Sequence, residues 1–176
     1  HHGAICAPSR AMLLSGKSLF NVYDRLDGIE TLPNYLTSKG YQTFATGKWH
    51  NGESSFEANF QEGEKIMVGG MSDHFKVPVM DLDKNQKLNN LQTKGFSTDI
   101  FTDAAIKYLD RYNKSTQKKP FFCYIAFTAP HDPRSPMSSY SNIYAEDEIP
   151  IPENFKPLHP FRFDDLNIRH NHLDHD

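Results

Sequence analysis

Cysteine is scarce in this chain, with only Cys6 and Cys123 among its 176 residues. Two cysteines this far apart cannot form a disulfide framework or a C-x-x-C pair, which argues against thiol redox chemistry and a thiolate zinc site. Long apolar runs are also missing, because the longest extends only over 121–129. A membrane span needs roughly 20 apolar residues, so we predict none.

An excess of positive charge is missing as well. The chain carries 19 Lys and Arg residues against 22 Asp and Glu residues, for a formal net charge of -3. Without a basic stripe to neutralise a phosphate backbone, nucleic acid is not an expected partner. The sequence starts at His1 without an initiator Met or a charged-then-apolar leader, so an export signal would not be visible in it.

What the chain does contain is typical of a folded protein. Hydrophobic residues make up 38% of the sequence and aromatic residues 12%, which argues against disorder. A length of 176 residues fits one domain with a substantial core.

A helix is predicted immediately after Cys6. Pro8 is well accommodated in a first helical turn, the stretch 9–14 favours a helix, and Gly16 ends it. Cys6 is therefore expected at a helix N-terminus, where backbone N–H groups attract anions.

A helix and a strand are predicted next. The helix covers 31–39, with Thr31 as its cap and Gly40 as its stop. The strand covers 41–46 and leads into the motif Gly47-Lys48-Trp49-His50. One face of the helix is formed by Leu32, Tyr35 and Leu36.

A second helix and strand repeat this order. The helix is capped by Ser97 or Thr98, and the apolar run 121–127 is typical of a strand buried on both faces of a parallel sheet. The motif Ala129-Pro130-His131-Asp132-Pro133 follows the strand. Apolar residues at i, i+4 spacing in the helix are Ile100, Phe101, Ala104, Ala105, Tyr108, Leu109 and Tyr112.

The repeated order of helix, strand and motif indicates an open α/β sheet, which binds ligands beyond the carboxyl ends of its strands. Both polar motifs are thus expected at one edge of the sheet. The stretch 51–95 gives weaker signals: a turn at 69–70, a strand over 77–82 and an exposed loop over 84–94. The Pro-, Asp-, Asn- and His-rich part 135–176 is expected to be an irregular surface segment.

These motifs resemble the signature blocks of type I sulfatases. The stretch 6–10, Cys-Ala-Pro-Ser-Arg, followed by 14–17, Leu-Ser-Gly-Lys, is similar to the family's Cys-x-Pro-Ser-Arg…Thr-Gly-Arg signature, with Lys17 where arginine is usual. The stretches 47–50 and 128–133 resemble its Gly-Lys-Trp-His and Pro-His blocks, in the same order. The sequence around the first block most resembles the corresponding sequence of bacterial sulfatases that act on carbohydrate sulfates.

The resemblance implies a modified nucleophile. A separate maturation enzyme would oxidise Cys6 to formylglycine, whose hydrated aldehyde is also a ligand of a divalent cation, usually Ca²⁺. One hydroxyl of the hydrate would attack sulfur, and the second would expel sulfate on losing its proton, so that no water has to attack the covalent intermediate.

The resemblance also assigns roles to four further residues. Arg10 would orient the diol, and Lys48 would bridge the diol and a sulfate oxygen as a compact charge. His50 would accept the proton that releases sulfate, and His131 would bind or protonate the leaving oxygen. The two histidine roles are interchangeable at this point.

The implied fold is α/β: an alkaline-phosphatase-like sandwich in which a central mixed sheet carries helices on both faces. Residues 1–176 would be a partial catalytic domain, incomplete at both ends, because the family's acidic pair before the cysteine block and its later Asp-Asn pair and lysine have no match here. Ca²⁺ prefers six or more oxygen ligands, so the fragment alone is expected to have little activity and exposed sheet edges.

Several alternatives stay open. The protein is a sulfatase, a phosphonate or phosphate ester hydrolase of the same superfamily, or a non-catalytic remnant that binds sulfated glycans. A periplasmic or secreted location follows by family analogy only. Cys123 is expected to be an inert core residue. The composition of the tail is that of a transition-metal tract, with His170, His172, Asp174, His175 and Asp176, but a solvated tail is the simpler interpretation.

Overall fold

The computed structural model describes residues 5–91 and 94–155, which fall into two compact units, 1–132 and 133–176. The first unit contains all the strands and longer helices of the described residues. The described part of the second unit, 133–155, consists of turns and a short 3₁₀ helix over Glu146–Glu148. The tail residues from His170 to Asp176 lie outside the described residues.

The first unit contains a mixed five-stranded sheet. The strands are β1 (Gln42–Lys48), β2 (Glu62–Met67), β3 (Val79–Leu82), β4 (Leu88–Leu91) and β5 (Phe121–Ala126), in the spatial order β4-β3-β2-β1-β5. Strands β2, β1 and β5 run parallel, and β3 and β4 are antiparallel additions. The helices are α1 (Cys6–Ser15), α2 (Leu32–Ser38), α3 (Glu53–Asn59) and α4 (Ser97–Lys114), with a 3₁₀ turn over Leu19–Asn21.

Helices cover both faces of the sheet, because successive side chains of β1 point in opposite directions. Phe44 stacks on Tyr108 of α4, with the ring centroids 4.3 Å apart. Ala45 belongs to the buried cluster on the opposite face, together with Met12 of α1 and Phe56 of α3. This arrangement confirms the predicted α/β fold with a central mixed sheet.

Helix α1 begins and ends where the sequence predicts. Gly16 follows the last helical residue with a left-handed φ of 68°, and its N–H donates to the carbonyl of Met12 at 2.9 Å. Glycine favours this conformation because it has no Cβ, and the hydrogen bond satisfies a carbonyl at the helix end.

Helix α2 is present, but its predicted apolar face is not buried. Leu32 and Tyr35 are exposed, whereas Pro33 is buried. Thr31 occupies the N-cap position without a capping hydrogen bond, because its hydroxyl contacts the side chains of Asn34 and Asn59 instead. Apolar spacing located this helix but gave the wrong face.

Helix α4 buries the predicted stripe, including Ile100, Phe101 and Ala104. Leu109 is exposed. The capping prediction was wrong: Phe96 occupies the N-cap position, and Ser97 is the first helical residue. The hydroxyl of Ser97 contacts the buried side chain of His74 instead of an α4 amide.

The exposed loop predicted over 84–94 is partly a strand. Residues 88–91 form β4, which pairs antiparallel with β3, and a tight turn at Asp83 joins the two strands. The Asp83 carboxylate accepts hydrogen bonds from the N–H groups of Asn85 and Lys87. The sequence pattern did not reveal this strand, because an antiparallel strand can expose one face to solvent and can therefore contain polar side chains.

Strand β5 is present over nearly the predicted span, but it is not buried on both faces. It forms the outer strand of the described sheet and pairs only with β1. Phe121 and Ile125 are exposed. Cys123 packs against the cluster around Phe44, and burial raises the pKa of its thiol to about 11, as expected for an unreactive core cysteine. Among the described residues, no helix is long and apolar enough to cross a membrane.

Candidate active site

Three parallel strands end at the same edge of the sheet. Lys48 is the last residue of β1, Gly70 lies three residues after β2, and His131 lies five residues after β5. The first residue of α1, Cys6, joins them through a direct contact with His50. The structure thus brings the cysteine motif and the two strand-end motifs to one region.

Cys6 and His50 are in hydrogen-bond contact across 44 positions of sequence. The Sγ atom of Cys6 lies 2.9 Å from Nδ1 of His50. Cys6 is partly exposed at the helix N-terminus, where unpaired backbone N–H groups create a positive potential. An anionic ligand at Cys6 would therefore be stabilised.

Arg10 is tied to the sheet by two contacts. Its guanidinium donates to the carbonyl of Lys48 at 2.7 Å and to the hydroxyl of Tyr124 at 3.0 Å. Lys48 belongs to β1 and Tyr124 to the neighbouring β5, so the orientation of Arg10 depends on the pairing of these two strands.

Lys48 is a buried cation, with only 2% of the residue exposed. Its Nζ donates to the carbonyl of Gly70. Burial lowers the pKa of Lys48, and the charge of Arg10 lowers it further, while the neighbouring Cys6 opposes the shift. A group at Cys6 that carries negative charge would stabilise the protonated lysine.

His50 is favoured in its neutral form. Burial is the main cause that lowers the pKa of His50, followed by the positive charges of Lys48, Arg10 and His131. Since an ordinary histidine titrates near ~6.5, a lowered pKa leaves His50 unprotonated at neutral pH. It is therefore ready to accept a proton.

Gly70 leaves room for the ring of His50. A Cβ atom at position 70 would lie 2.6 Å from Nε2 and Cε1 of His50, closer than real Cβ contacts allow. The same residue supplies the carbonyl that accepts from Lys48. Gly70 therefore acts on Lys48 and His50 of the second motif through its backbone.

Asn51 joins the second motif to α1. The residue is buried, and its Nδ2 donates to the carbonyls of Ala7 at 3.0 Å and Asp24 at 2.5 Å. Its Oδ1 has no partner among the described residues. A cavity of about 250 Å³, lined in part by Asn51, His50 and Arg25, adjoins the Cys6–His50 pair.

The Nδ1 atom of His131 is engaged with its own loop, which leaves Nε2 available to a ligand. Its Nδ1 lies 2.9 Å from the carbonyl of Asp132, and a carbonyl can only accept, so Nδ1 carries the hydrogen in the neutral ring. The backbone N–H of His131 donates to the carbonyl of Thr128 at 2.9 Å. His131 also lies near enough to His50 to influence its pKa.

The described residues do not form a complete calcium site. They contain no group of three or more His, Cys, Asp or Glu side chains placed to hold a metal ion. Cys6, once converted to a hydrated aldehyde, would supply oxygen at its own position only, and Ca²⁺ takes six to eight oxygen ligands.

Sequence reasoning missed four residues that contact the three motifs: Asn51, Gly70, His74 and Tyr124. The ring of His74 does so through Nε2, which lies 3.2 Å from the carbonyl oxygen of His131. Asn51 directly follows the second motif, which is the signal that would have singled it out. The sequence pattern assigns Gly70 only to a turn. Tyr124 lies within an apolar strand, and His74 lies in a stretch without periodicity, so nothing local marks either of them.

Comparison with known proteins supplies a family. A family model described as Sulfatase matches residues 1–174. The chain is 31% identical over 162 residues to the N-acetylglucosamine-6-O-sulfatase of Bacteroides thetaiotaomicron, covering 86% of this chain and 26% of the relative. It is 26% identical to a Caenorhabditis elegans homolog of the extracellular sulfatase Sulf-1, covering 82% of this chain and 22% of that protein.

A solved structure shares the fold. It is the complex of a protein with its substrate D-glucosamine-2-N,6-O-disulfate, with a TM-score of 0.57 and 28% sequence identity. The match covers 74% of this chain and 26% of the solved chain. The present chain thus spans about a quarter of the length of these relatives.

Proposed function

This chain belongs to the sulfatase family, and we propose that the protein of which it is part hydrolyses sulfate esters of carbohydrates through a formylglycine made from Cys6. One observation carries the proposal: Sγ of Cys6 lies 2.9 Å from Nδ1 of His50, at a helix N-terminus and beside the buried cation Lys48. A nucleophile, a base and positive charge for an anion therefore coincide.

In the first step an oxygen of the hydrated aldehyde, whose proton has passed to solvent, attacks the ester sulfur, and the bond from sulfur to the alcohol oxygen breaks. His131 in its doubly protonated form carries a hydrogen on Nε2, which has no backbone partner among the described residues, and it gives this proton to the departing oxygen. Lys48 and Arg10 offset the negative charge that builds up on the sulfate oxygens.

In the second step His50 takes the proton of the remaining hydroxyl. The electron pair of that O–H bond re-forms the aldehyde, and the carbon–oxygen bond to sulfate breaks. The lowered pKa of His50 suits this role, because the ring is unprotonated when the step begins. The direct contact of His50 with position 6 supports the assignment of base to His50 and acid to His131.

We propose Ca²⁺ as the metal, with the Cys6-derived diol as one of its ligands and the other ligands supplied by residues beyond those described. Bound Ca²⁺ would add positive charge beside the nucleophile. Among the described residues, Arg10 and Lys48 also supply positive charge near Cys6.

N-acetylglucosamine 6-sulfate is the substrate to examine first. The support is the name of the bacterial relative and the glucosamine disulfate in the solved structure. The required partner is a formylglycine-generating enzyme. A periplasmic or secreted location is supported by the resemblance to an extracellular sulfatase.

The test begins with peptide mass spectrometry of position 6 in the full-length protein, produced together with a formylglycine-generating enzyme. Conversion to the aldehyde and release of sulfate from N-acetylglucosamine 6-sulfate are expected, and Cys6→Ala should abolish the release. An unmodified Cys6, where a control sulfatase is converted, would refute the proposed nucleophile and favour a glycan-binding remnant. Conversion with faster release of phosphate than of sulfate from matched aryl esters would favour a phosphate ester hydrolase.

A further inference from the structure

Three buried polar side chains form a cluster that contacts the loop carrying His131. His74 comes from the segment between β2 and β3, Ser97 is the first residue of α4, and Thr128 follows β5. All three are buried. They converge from distant parts of the sequence, although the proposed reaction assigns no role to any of them.

The ring of His74 connects the cluster to the backbone of His131. Its Nε2 lies 3.2 Å from the carbonyl oxygen of His131. Because a carbonyl oxygen only accepts, Nε2 must carry the hydrogen. This contact joins positions 57 residues apart in the sequence.

The other ring nitrogen is held by hydroxyls. Nδ1 of His74 lies 2.7 Å from Oγ of Ser97 and 3.2 Å from Oγ1 of Thr128, and the two hydroxyls lie 3.0 Å apart. With the hydrogen on Nε2, Nδ1 of the neutral ring accepts a hydrogen bond from this pair of hydroxyls. The ring also stacks on Phe96, with the centroids 5.5 Å apart, so its orientation is set from several sides.

We propose that His74 is a positioning residue for His131. The inference rests on the proposed function, in which His131 protonates the leaving oxygen. By holding the carbonyl of residue 131, His74 fixes the orientation of that peptide group. The direction of the His131 side chain, and with it the position of Nε2, follows from this orientation.

His131 needs such an anchor because its side chain is exposed and its Nδ1 contacts only the next carbonyl of its own loop. The ring and the loop therefore move together unless the loop is tied to the rest of the fold. The bond to His74 ties it to a buried cluster that includes α4. Catalysis is sensitive to such placement, since a shift of about 1 Å costs on the order of 10²-fold in rate.

Two substitutions of His74 separate positioning from folding. In His74→Gln the amide nitrogen takes the place of Nε2 and still donates to the carbonyl of His131. In His74→Asn the shorter amide matches Nδ1 and keeps the contact with Ser97, but it does not reach residue 131. The matched control is Phe101→Leu, which loosens α4 against the sheet without removing a member of the cluster.

The variants are compared in the full-length, formylglycine-containing protein on two substrates. A sugar sulfate has a poor leaving group that needs a proton, whereas a nitrophenyl sulfate has a good one that does not. For His74→Asn we expect kcat on the sugar sulfate to fall roughly 10²-fold, with a much smaller loss on nitrophenyl sulfate and little change in KM. His74→Gln should recover most of the loss, and Phe101→Leu should affect both substrates equally.

Hydrogen–deuterium exchange of the peptide containing 128–132 gives a readout that does not depend on turnover. Exchange should be faster in His74→Asn and near the wild-type rate in His74→Gln. If the wild type does not release sulfate but the exchange results hold, the proposed reaction fails while the anchoring of the loop stands. Equal losses on both substrates in His74→Asn, or unchanged exchange, would overturn the role of His74.

Discussion

At the scale of single residues, the site depends on the absence of a side chain at position 70. The backbone of Gly70 passes close to the ring of His50, and its carbonyl accepts from Nζ of Lys48. No left-handed φ accompanies it, in contrast to Gly47 or Gly52. The backbone at this position therefore tolerates alanine, and the nearest atoms that oppose a side chain belong to the ring of His50.

Gly70→Ala should consequently reduce activity more than stability. The added methyl group would displace the His50 ring from position 6, and we expect kcat of the full-length enzyme on an aryl sulfate to fall roughly 10²-fold. The matched control is Gly69→Ala, whose methyl group would meet only the end of Met67 at 3.8 Å, an ordinary contact. Equal activities of the two variants would show that His50 does not need its present position.

The sequence resemblance selected the candidate site residues without any knowledge of geometry, and their catalytic roles stay predictions. Cys6, Lys48, His50 and His131 all belong to short motifs. The residues that hold them in place were not predicted, because they lie far away in the sequence. The contact of Arg10 with Tyr124, for example, joins positions 114 residues apart. Support of this kind is a property of tertiary packing and has no local pattern.

At the scale of elements, the junction of β1 and β5 determines where the second motif emerges. The pairing register of β1 with β2 shifts between Ala45 and Gly47, and Gly47 has a left-handed φ of 94°. A Cβ atom at this position would overlap the carbonyl of Ala126 on β5. Glycine is thus required for two reasons, conformation and close approach.

Gly47→Ala should therefore destabilise the fold by roughly 2–5 kcal/mol, the combined scale of backbone strain and overpacking. Gly40→Ala is the control, because Gly40 also has a left-handed φ, of 86°, but nothing lies within 4 Å of its Cβ position. This control should cost about 1 kcal/mol. Urea unfolding measures both values, and similar losses would mean that β5 moves aside easily.

The elements themselves were predictable where a period of apolar residues was strong. Helix α4 and the strands β1 and β5 lie close to their predicted spans, because each contains a clear apolar stripe or run, although β5 is not buried on both faces. Strand β2 was not assigned, since its Glu62 and Glu64 disrupt the apolar pattern. In the structure both carboxylates pair with Arg111 of α4, a compensation that a sequence pattern does not reveal.

At the scale of the whole molecule, the outer edge of β5 is apolar and has no neighbouring strand among the described residues. Exposed edges of this kind pair readily with other chains. We expect the 176-residue chain to associate with itself in sedimentation velocity experiments. Ile125→Lys, at a residue of β5 that is 41% exposed, should reduce the association.

The control for this substitution is Ile106→Lys on α4, where the residue is 52% exposed and the added charge is the same. Association should persist in this variant, because α4 does not present a strand edge. A wild-type chain that stays monomeric at all concentrations would contradict the prediction, and an equal effect of both lysines would indicate that net charge alone governs association.

The acceptors that hold the site together are largely main-chain oxygens. The carbonyls of Lys48, Gly70, His131 and Asp132 receive hydrogen bonds from Arg10, Lys48, His74 and His131, respectively. An alanine scan would leave each of these four acceptors in place and would record only the loss of donors. Replacing a single peptide link by an ester weakens its carbonyl as an acceptor. Such a replacement would measure the contribution of a main-chain acceptor, which no substitution among the coded amino acids removes.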